Sequence, residues 1–243
     1  MKIWVAKLGN LLYGWEFLYR ALYSTYKRIS DAEERKLLSD IVVPGMTVVD
    51  VGANIGIYTA YLSKLVGSRG RVIAFEPEPK NYRRLCAYVQ GLENVEPVEA
   101  AVVAQSGDIE LFVSDALNVD HQTYDSGENR SRIRVRGVAL DDYFPRGSRI
   151  DLIKMDVQGA EAVVLQGAER LLGENPDVRL ILEYWPYGLK RAGAPPARFL
   201  EWLREMGFEF RAVGSSSGKN VETIGDSPDD YVNLYASRGS VTV

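Results

Sequence analysis

The chain has 243 residues, enough for one large α/β domain with additions or for two small ones, and its 46% apolar content can fill a full core. A net charge of −4 argues against the broad basic footprint that non-specific nucleic-acid binding needs. No apolar run is long enough to span a bilayer, the N-terminus carries no small-residue cleavage site, and the single cysteine, Cys86, forbids an intrachain disulfide; together these point to the cytoplasm.

Leu8, Leu11, Leu12, Trp15, Leu18, Leu22 and Tyr26 recur at helical spacing and predict an aromatic-rich helix over 8–26. It reads as a helix packed on the main domain, a lid over a substrate, a homo-oligomer contact or a membrane-surface helix. A second helix is predicted from Asp31 to Asp40 before Pro44-Gly45 breaks the chain. Residues 1–43 are therefore expected to form a helical cap and 44–243 the main domain.

From there strands and helices alternate. Strands are predicted at Thr47–Val51, Arg71–Phe75 and Val95–Val103, with helices at Tyr58–Val66 and Asn81–Gln90 between them. Cys86 falls on the apolar stripe of the second of these helices and reads as a buried thiol. The rhythm lapses over about 106–138, where Ile109–Val113 and Ile133–Val138 read as a hairpin-like insertion around a long polar loop, 114–131. Arg130, Arg132, Arg134 and Arg136 alternate there, which fits a strand with its arginines in solvent better than a nucleic-acid patch. Alternation resumes with a strand at Ile150–Met155, a helix at Ala160–Leu172, a strand at Val178–Tyr184 and a helix at Ala197–Met206. Two last strands, Phe208–Val213 and Tyr231–Ser237, have no helix between them and suggest an antiparallel edge. The expected fold is α/β: a doubly wound, mostly parallel, seven-stranded Rossmann-like sheet joined by right-handed crossovers.

Three motifs carry the chemistry. The first is Asp50-Val51-Gly52-Ala53-Asn54-Ile55-Gly56, which follows a strand and opens a helix. Glycines there let backbone approach a ligand, and the helix N-terminus offers N–H groups. A dinucleotide fingerprint would need glycine where this chain has Asn54 and Ile57. An acid followed by residues Gly52, Asn54 and Gly56 at alternate positions suits the turn that holds S-adenosylmethionine, and Asn tolerates the left-handed backbone. The second motif is Phe75-Glu76-Pro77, with Glu76 about twenty residues past the turn, the spacing of an acid that binds ribose hydroxyls. The third is Lys154-Met155-Asp156-Val157-Gln158-Gly159-Ala160-Glu161 at the end of the fourth parallel strand. Lys154 and Asp156 share one face of that strand, and a lysine in an apolar strand needs a partner; Glu161 either pairs with it or caps the next helix. The Lys154 cluster reads either as a structural ion pair or as catalytic machinery.

In this order and spacing, and with Leu140-Asp141-Asp142 between the second and third motifs, residues 46–185 resemble the FkbM family of methyltransferases. The resemblance implies S-adenosylmethionine as methyl donor and an O-methyl product on the hydroxyl of a sugar, polyketide or other small natural product. Expected cofactor contacts are Asp50, Gly52, Asn54, Gly56, Tyr58, Thr59, Glu76, Pro77, Ala101 and Asp156. One departure stands out: Gln158 occupies a position where the family often has Glu.

An alcohol is a poor nucleophile until its proton is removed. The expected catalytic residues are His121, the sole histidine and set in the polar loop, with Lys154 and Asp156. Mg²⁺ held by Asp156 and Glu183 is the other way to activate the oxygen. His121, Lys154, Asp156 and Glu183 are expected in one pocket at the carboxyl edge of the sheet, under a cap made by residues 1–30 and 114–131. Against small-molecule O-methylation stand two other readings: a methyltransferase-like binding module with weakened catalysis, and a methyltransferase acting on RNA or protein.

Overall fold

The computed structural model describes residues 31–114, 121–127, 129–214, 221 and 224–239. The predicted helix over 8–26 lies outside these residues, as do residues 115–120 and 128 of the polar loop. Helix α1 (Ala32–Ile41) leads into strand β1 (Thr47–Val51). Next come α2 (Ile57–Val66), β2 (Arg71–Phe75), α3 (Pro79–Val89) and β3 (Val95–Val98). An insertion contributes β4 (Ala101–Val102), β5 (Gly107–Val113) and β6 (Ser131–Val138). After α4 (Leu140–Tyr143) the chain makes β7 (Leu152–Met155), α5 (Glu161–Gln166), α6 (Glu169–Glu174) and β8 (Arg179–Tyr184). It closes with α7 (Pro186–Arg191), α8 (Pro196–Glu205), β9 (Glu209–Val213) and β10 (Val232–Ser237).

Seven strands form one sheet in the order β3-β2-β1-β7-β8-β10-β9. The expected doubly wound sheet is thus observed, with one refinement. The strand that runs against its neighbours, β10, pairs antiparallel with both β8 and β9 and so lies one place in from the edge.

Side chains alternate across the sheet and sort the core into two layers. Val49, Val51, Ile153, Leu180 and Leu182 pack under Leu165, Leu172, Phe199 and Leu203 of α5, α6 and α8. Val48, Leu152, Ile181 and Tyr235 pack on the other face against Leu37, Leu38 and Ile41 of α1 and Leu62 and Val66 of α2. Helix α1 is therefore part of the sheet's own core.

Two predicted elements divide. The strand expected over Val95–Val103 is two strands: β3 pairs with β2 in the main sheet, whereas β4 pairs with β6 in a separate three-stranded sheet, β4-β6-β5. The expected hairpin is β5 against β6, and the alternate residues Arg132, Arg134 and Arg136 are exposed on it, opposite Phe112, Glu110 and Asp108. Arg132 pairs with Glu110 at 3.5 Å and with Asp125 at 3.0 Å, so the arginine face is matched locally by acids. The helix expected over Ala160–Leu172 breaks at Gly167, where a Cβ would lie 2.1 Å from the carbonyl oxygen of Val103. The backbones meet too closely there for a side chain. Helix α6 restarts because the Asp141 carboxylate accepts the N–H groups of Arg170 and Leu171, at 2.9 and 2.8 Å. Cys86 is half-buried rather than buried.

The two glycines of this region make a paired test. Gly167→Ala should cost about 1–3 kcal/mol by overpacking and lower the melting temperature by roughly 2–10 °C. Gly173, in α6, has open space around it, so Gly173→Ala should be neutral or stabilising by up to about 1 kcal/mol. Thermal unfolding of both variants checks the pair; equal melting temperatures would refute the close approach at Gly167.

Candidate functional site

Strand β1 ends in the first motif. Asp50 is fully buried and accepts a hydrogen bond from the Thr59 hydroxyl at 2.7 Å. Its other oxygen has no hydrogen-bond partner within the protein. Burial pushes its carboxyl pKa up, against the opposing pull of the Lys154 ammonium and the Thr59 hydroxyl. Asn54 has φ 51°, the left-handed conformation its residue type tolerates. Gly52 and Gly56 also have positive φ, 80° and 88°. A Cβ on Gly52 would lie 2.2 Å from the Asp156 carbonyl oxygen, and one on Gly56 2.7 Å from Leu85 Cδ1. The space a side chain at 52 would take is thus filled by the protein's own backbone.

Glu76 ends β2 with 4% of its surface exposed. The Asn54 N–H donates to one of its oxygens at 2.8 Å and the Glu78 N–H to the other at 2.9 Å. Glu76 thus ties the glycine turn to the turn after β2, where Pro77 is half-buried. Burial raises the Glu76 pKa to about 8, although both backbone bonds favour the charged form. Ala101 packs with Val103, Leu111 and Val135 in the core of the small sheet, so its side chain belongs to that core.

The same alternation that builds the α1–α2 layer turns it polar at the carboxyl ends of the strands. Val48 is followed two residues later by Asp50, Leu152 by Lys154, and Ile181 by Glu183. Asp50 and Lys154 are register partners across β1 and β7, and Glu183 faces Asn233 across β8 and β10. A pocket of about 60 Å³ opens here, lined by Lys154, Asp156, Glu183, Tyr58 and, from α1 and its N-cap, Glu34 and Asp31. Tyr231 and Asn233 complete its polar wall.

Lys154 is 4% exposed, with its Nζ 3.8 Å from a Glu34 oxygen and 4.2 Å from the centre of the Tyr58 ring. The Tyr58 hydroxyl donates to Asp31 at 3.0 Å. Burial and the Glu34 and Asp31 carboxylates push its pKa well up, so it stays protonated. The expected pairing of Lys154 with Glu161 does not occur. Glu161 is fully buried and accepts from the N–H groups of Val157 and Gly159, both at 3.4 Å, which ties down the third motif's turn. Gln158, at φ 55°, donates its side-chain amide to Asp156 at 2.8 Å, and its carbonyl accepts the Tyr124 hydroxyl at 2.8 Å.

Lys154, Asp156 and Glu183 thus meet in one pocket, as expected. His121 is not among the residues lining it; its Nδ1 accepts the Ser114 N–H at 3.2 Å in the insertion. The metal reading does not fit: the described residues hold no group of three or more acidic, His or Cys side chains arranged for a metal ion, and the pocket that Asp156 and Glu183 line already contains the Lys154 ammonium. Sequence reasoning missed Glu34 and Asn233. A signal for Glu34 existed: Glu34, Leu37, Leu38 and Ile41 form the buried stripe of α1, and an acid on such a stripe needs a cation. Among the described residues no helix is long and apolar enough to cross a membrane.

Comparison with known proteins gives the arrangement its family. The FkbM methyltransferase domain profile matches residues 50–210. Methyltransferase sdnD of Sordaria araneosa is 27% identical over 59% of this chain and 68% of its own length. Ribosomal RNA large subunit methyltransferase E of Acinetobacter baumannii is 41% identical over 73 residues, 30% of this chain and 32% of that protein. This chain thus spans about a third of that relative. Among solved structures, FkbM methyltransferase from Methylobacillus flagellatus superposes with a TM-score of 0.50 at 15% identity, covering 90% of this chain and 54% of that one, and supports the fold. A sheet in this order, a glycine turn backed by buried Asp50 and Glu76, and a domain match across two thirds of the sequence lead to one conclusion: the chain belongs to the FkbM family of S-adenosylmethionine-dependent methyltransferases.

Proposed function

We propose that this methyltransferase O-methylates a hydroxyl group of a small molecule, such as a sugar or another natural product, bound in the pocket at Lys154 and Asp156. The observation that carries the reading is the adjacency of Asp50, in the cofactor turn, and Lys154, in the pocket, as direct partners on neighbouring strands. Donor and acceptor sites then share one polar sheet edge.

The residues present fit the donor. Asp50 keeps a buried oxygen with no protein partner, and Glu76 presents a buried carboxylate at the ribose-binding position. Asp50, the Gly52–Gly56 turn and Glu76 would hold S-adenosylmethionine, which when bound supplies an electrophilic methyl group on a sulfonium. The Lys154 ammonium is placed to donate to the acceptor oxygen and to stabilise the charge that grows as its proton leaves. Asp156, held by the Gln158 amide, takes that proton as general base. Glutamine at 158 supplies a donor to this carboxylate, which a second carboxylate would not do, so the departure from the family pattern is compatible with catalysis. Acids matched to the arginine face favour a small acceptor over RNA.

Three outcomes follow. Above pH 8, where the Glu76 carboxylate is charged, Glu76→Gln should weaken S-adenosylmethionine binding by about 1.5–3 kcal/mol, the worth of hydrogen bonds to a charged group, in calorimetric titration; an unchanged dissociation constant would place the ribose elsewhere. Glu76 and Glu161 both have folded pKa values of about 8, above the usual 4.5. The native state therefore holds protons that the unfolded chain has released, and the stabilisation present below pH 4.5 is lost as pH rises towards 8. The melting temperature of the ligand-free protein should fall across that interval, and less steeply in Glu76→Gln; a rising curve contradicts the assignment. Asp156→Asn should lower turnover by about 10²-fold or more while leaving donor affinity within about twofold. The assay follows formation of S-adenosylhomocysteine with a methyl glucoside, a macrolactone polyol and a catechol, beside an RNA oligomer. Turnover of the RNA alone would reverse the choice of acceptor class, and no turnover with any acceptor by a protein that binds the donor would favour a binding module.

A further inference from the structure

The matched family domain begins at residue 50, yet two carboxylates of the acceptor pocket come from α1, which ends at Ile41, and from its N-cap, Asp31. Glu34 is 6% exposed and sits on the same helical stripe as the core residues Leu37, Leu38 and Ile41. One of its oxygens lies 3.8 Å from Lys154 Nζ, and the other accepts a hydrogen bond from the Asn233 side-chain amide. Three elements separated widely in sequence thus converge on one ammonium.

A buried ammonium is costly unless charge and hydrogen bonds surround it. The groups that face Lys154 differ in the other work they do. Asp50 lies in the cofactor turn and shares its carboxylate with Thr59. Asp156 is engaged by Gln158. Asp31 accepts the Tyr58 hydroxyl, and the Tyr58 ring lies beneath the ammonium. Glu183 lines the same pocket and is the register partner of Asn233. Glu34 forms an ion pair with Lys154 from a helix outside the catalytic sheet, and Asn233 fixes the carboxylate that does so.

We infer that Glu34 is a positioning residue of the transfer reaction: it holds the Lys154 ammonium over the Tyr58 ring at the acceptor pocket, so that α1 builds part of the acceptor site. The inference rests on the proposed role of Lys154 toward the acceptor oxygen. Glu34 itself touches no reacting atom in this scheme; it acts through Lys154. Glutamine at position 34 preserves the size of the side chain and an oxygen for Asn233, while it removes the charge that holds the ammonium.

The test is spectroscopic first. In the full chain labelled with [¹⁵N]lysine, Lys154 should give a slowly exchanging ammonium signal that is absent from Lys154→Met. In Glu34→Gln this signal should shift or vanish, with donor affinity within about twofold of the native value, because the cofactor turn is untouched. Glu34→Asp should bring the signal partway back. A Lys154 signal identical in the native protein and Glu34→Gln overturns the inference. If Glu34→Gln fails to fold, Glu34→Asp decides alone: the shorter acid must move the signal, and an unmoved signal overturns the inference. On the methyl glucoside, macrolactone and catechol acceptors, Glu34→Gln should lower kcat about tenfold with little change in KM for the donor, and should have no further effect in a Lys154→Met background. Equal losses from Glu34→Gln with and without Lys154 also overturn it. Native turnover by Lys154→Met overturns instead the proposed role of Lys154, which separates the two failures.

Discussion

A lysine ammonium buried inside a β-sheet sets the terms for everything around it. Taking such an ion out of water costs on the order of several kcal/mol, and the cost is recovered only where opposite charge and hydrogen bonds are held close. Lys154 meets that condition through its neighbours on β1, α1 and α2, and each of those neighbours is itself fixed: Asp50 by Thr59, Glu34 by Asn233, Tyr58 by Asp31. The result is a rigid polar cap on an apolar layer, produced by nothing more than the two-residue period of the strands. Core packing below and the polar pocket above are continuous along the same side-chain columns.

A second strained group sits on the other side of the turn. Glu76 is buried, bonded by two backbone N–H groups, and still driven toward the neutral form by the loss of water. Such a group is expensive in the ligand-free protein and becomes favourable when donors arrive from a ligand. A buried acid with a raised pKa at the end of a sheet strand is the kind of group that marks functional sites.

What was legible in the sequence was mostly local. The strand ends at Val51 and Phe75 and the left-handed Asn54 are recorded in short stretches whose residue types permit few alternatives. The parallel class of the sheet followed from alternation, and an antiparallel strand near its end from the absence of a helix before the last strand; the order of the strands was not legible. Long-range pairings were not legible. Glu34 and Asn233 are 199 residues apart, and nothing near either one names the other. Lys154 advertised a need for a partner, but the nearest acid in sequence, Glu161, was occupied by the backbone of its own turn. The break at Gly167 depended on the carbonyl of Val103 arriving from another layer, and the division of β3 from β4 on a second sheet existing to receive β4. A periodic pattern cannot register a neighbour that arrives from elsewhere in the chain.

The close approach of Gly52 to the Asp156 carbonyl bears on how copies of this domain age. Because the missing side chain at 52 makes room for the protein's own main chain, the glycine is required for the strands to end side by side whether or not any donor is bound. A descendant that had abandoned methyl transfer would still be selected to retain it, simply to fold. Glu76 has a different standing: its two backbone bonds can be met by other acceptors, and its buried charge serves the fold less than it would serve a ligand. In a lineage of such domains, loss of activity should therefore be recorded first at the buried acid and last, if ever, in the glycine turn by which these domains are usually recognised.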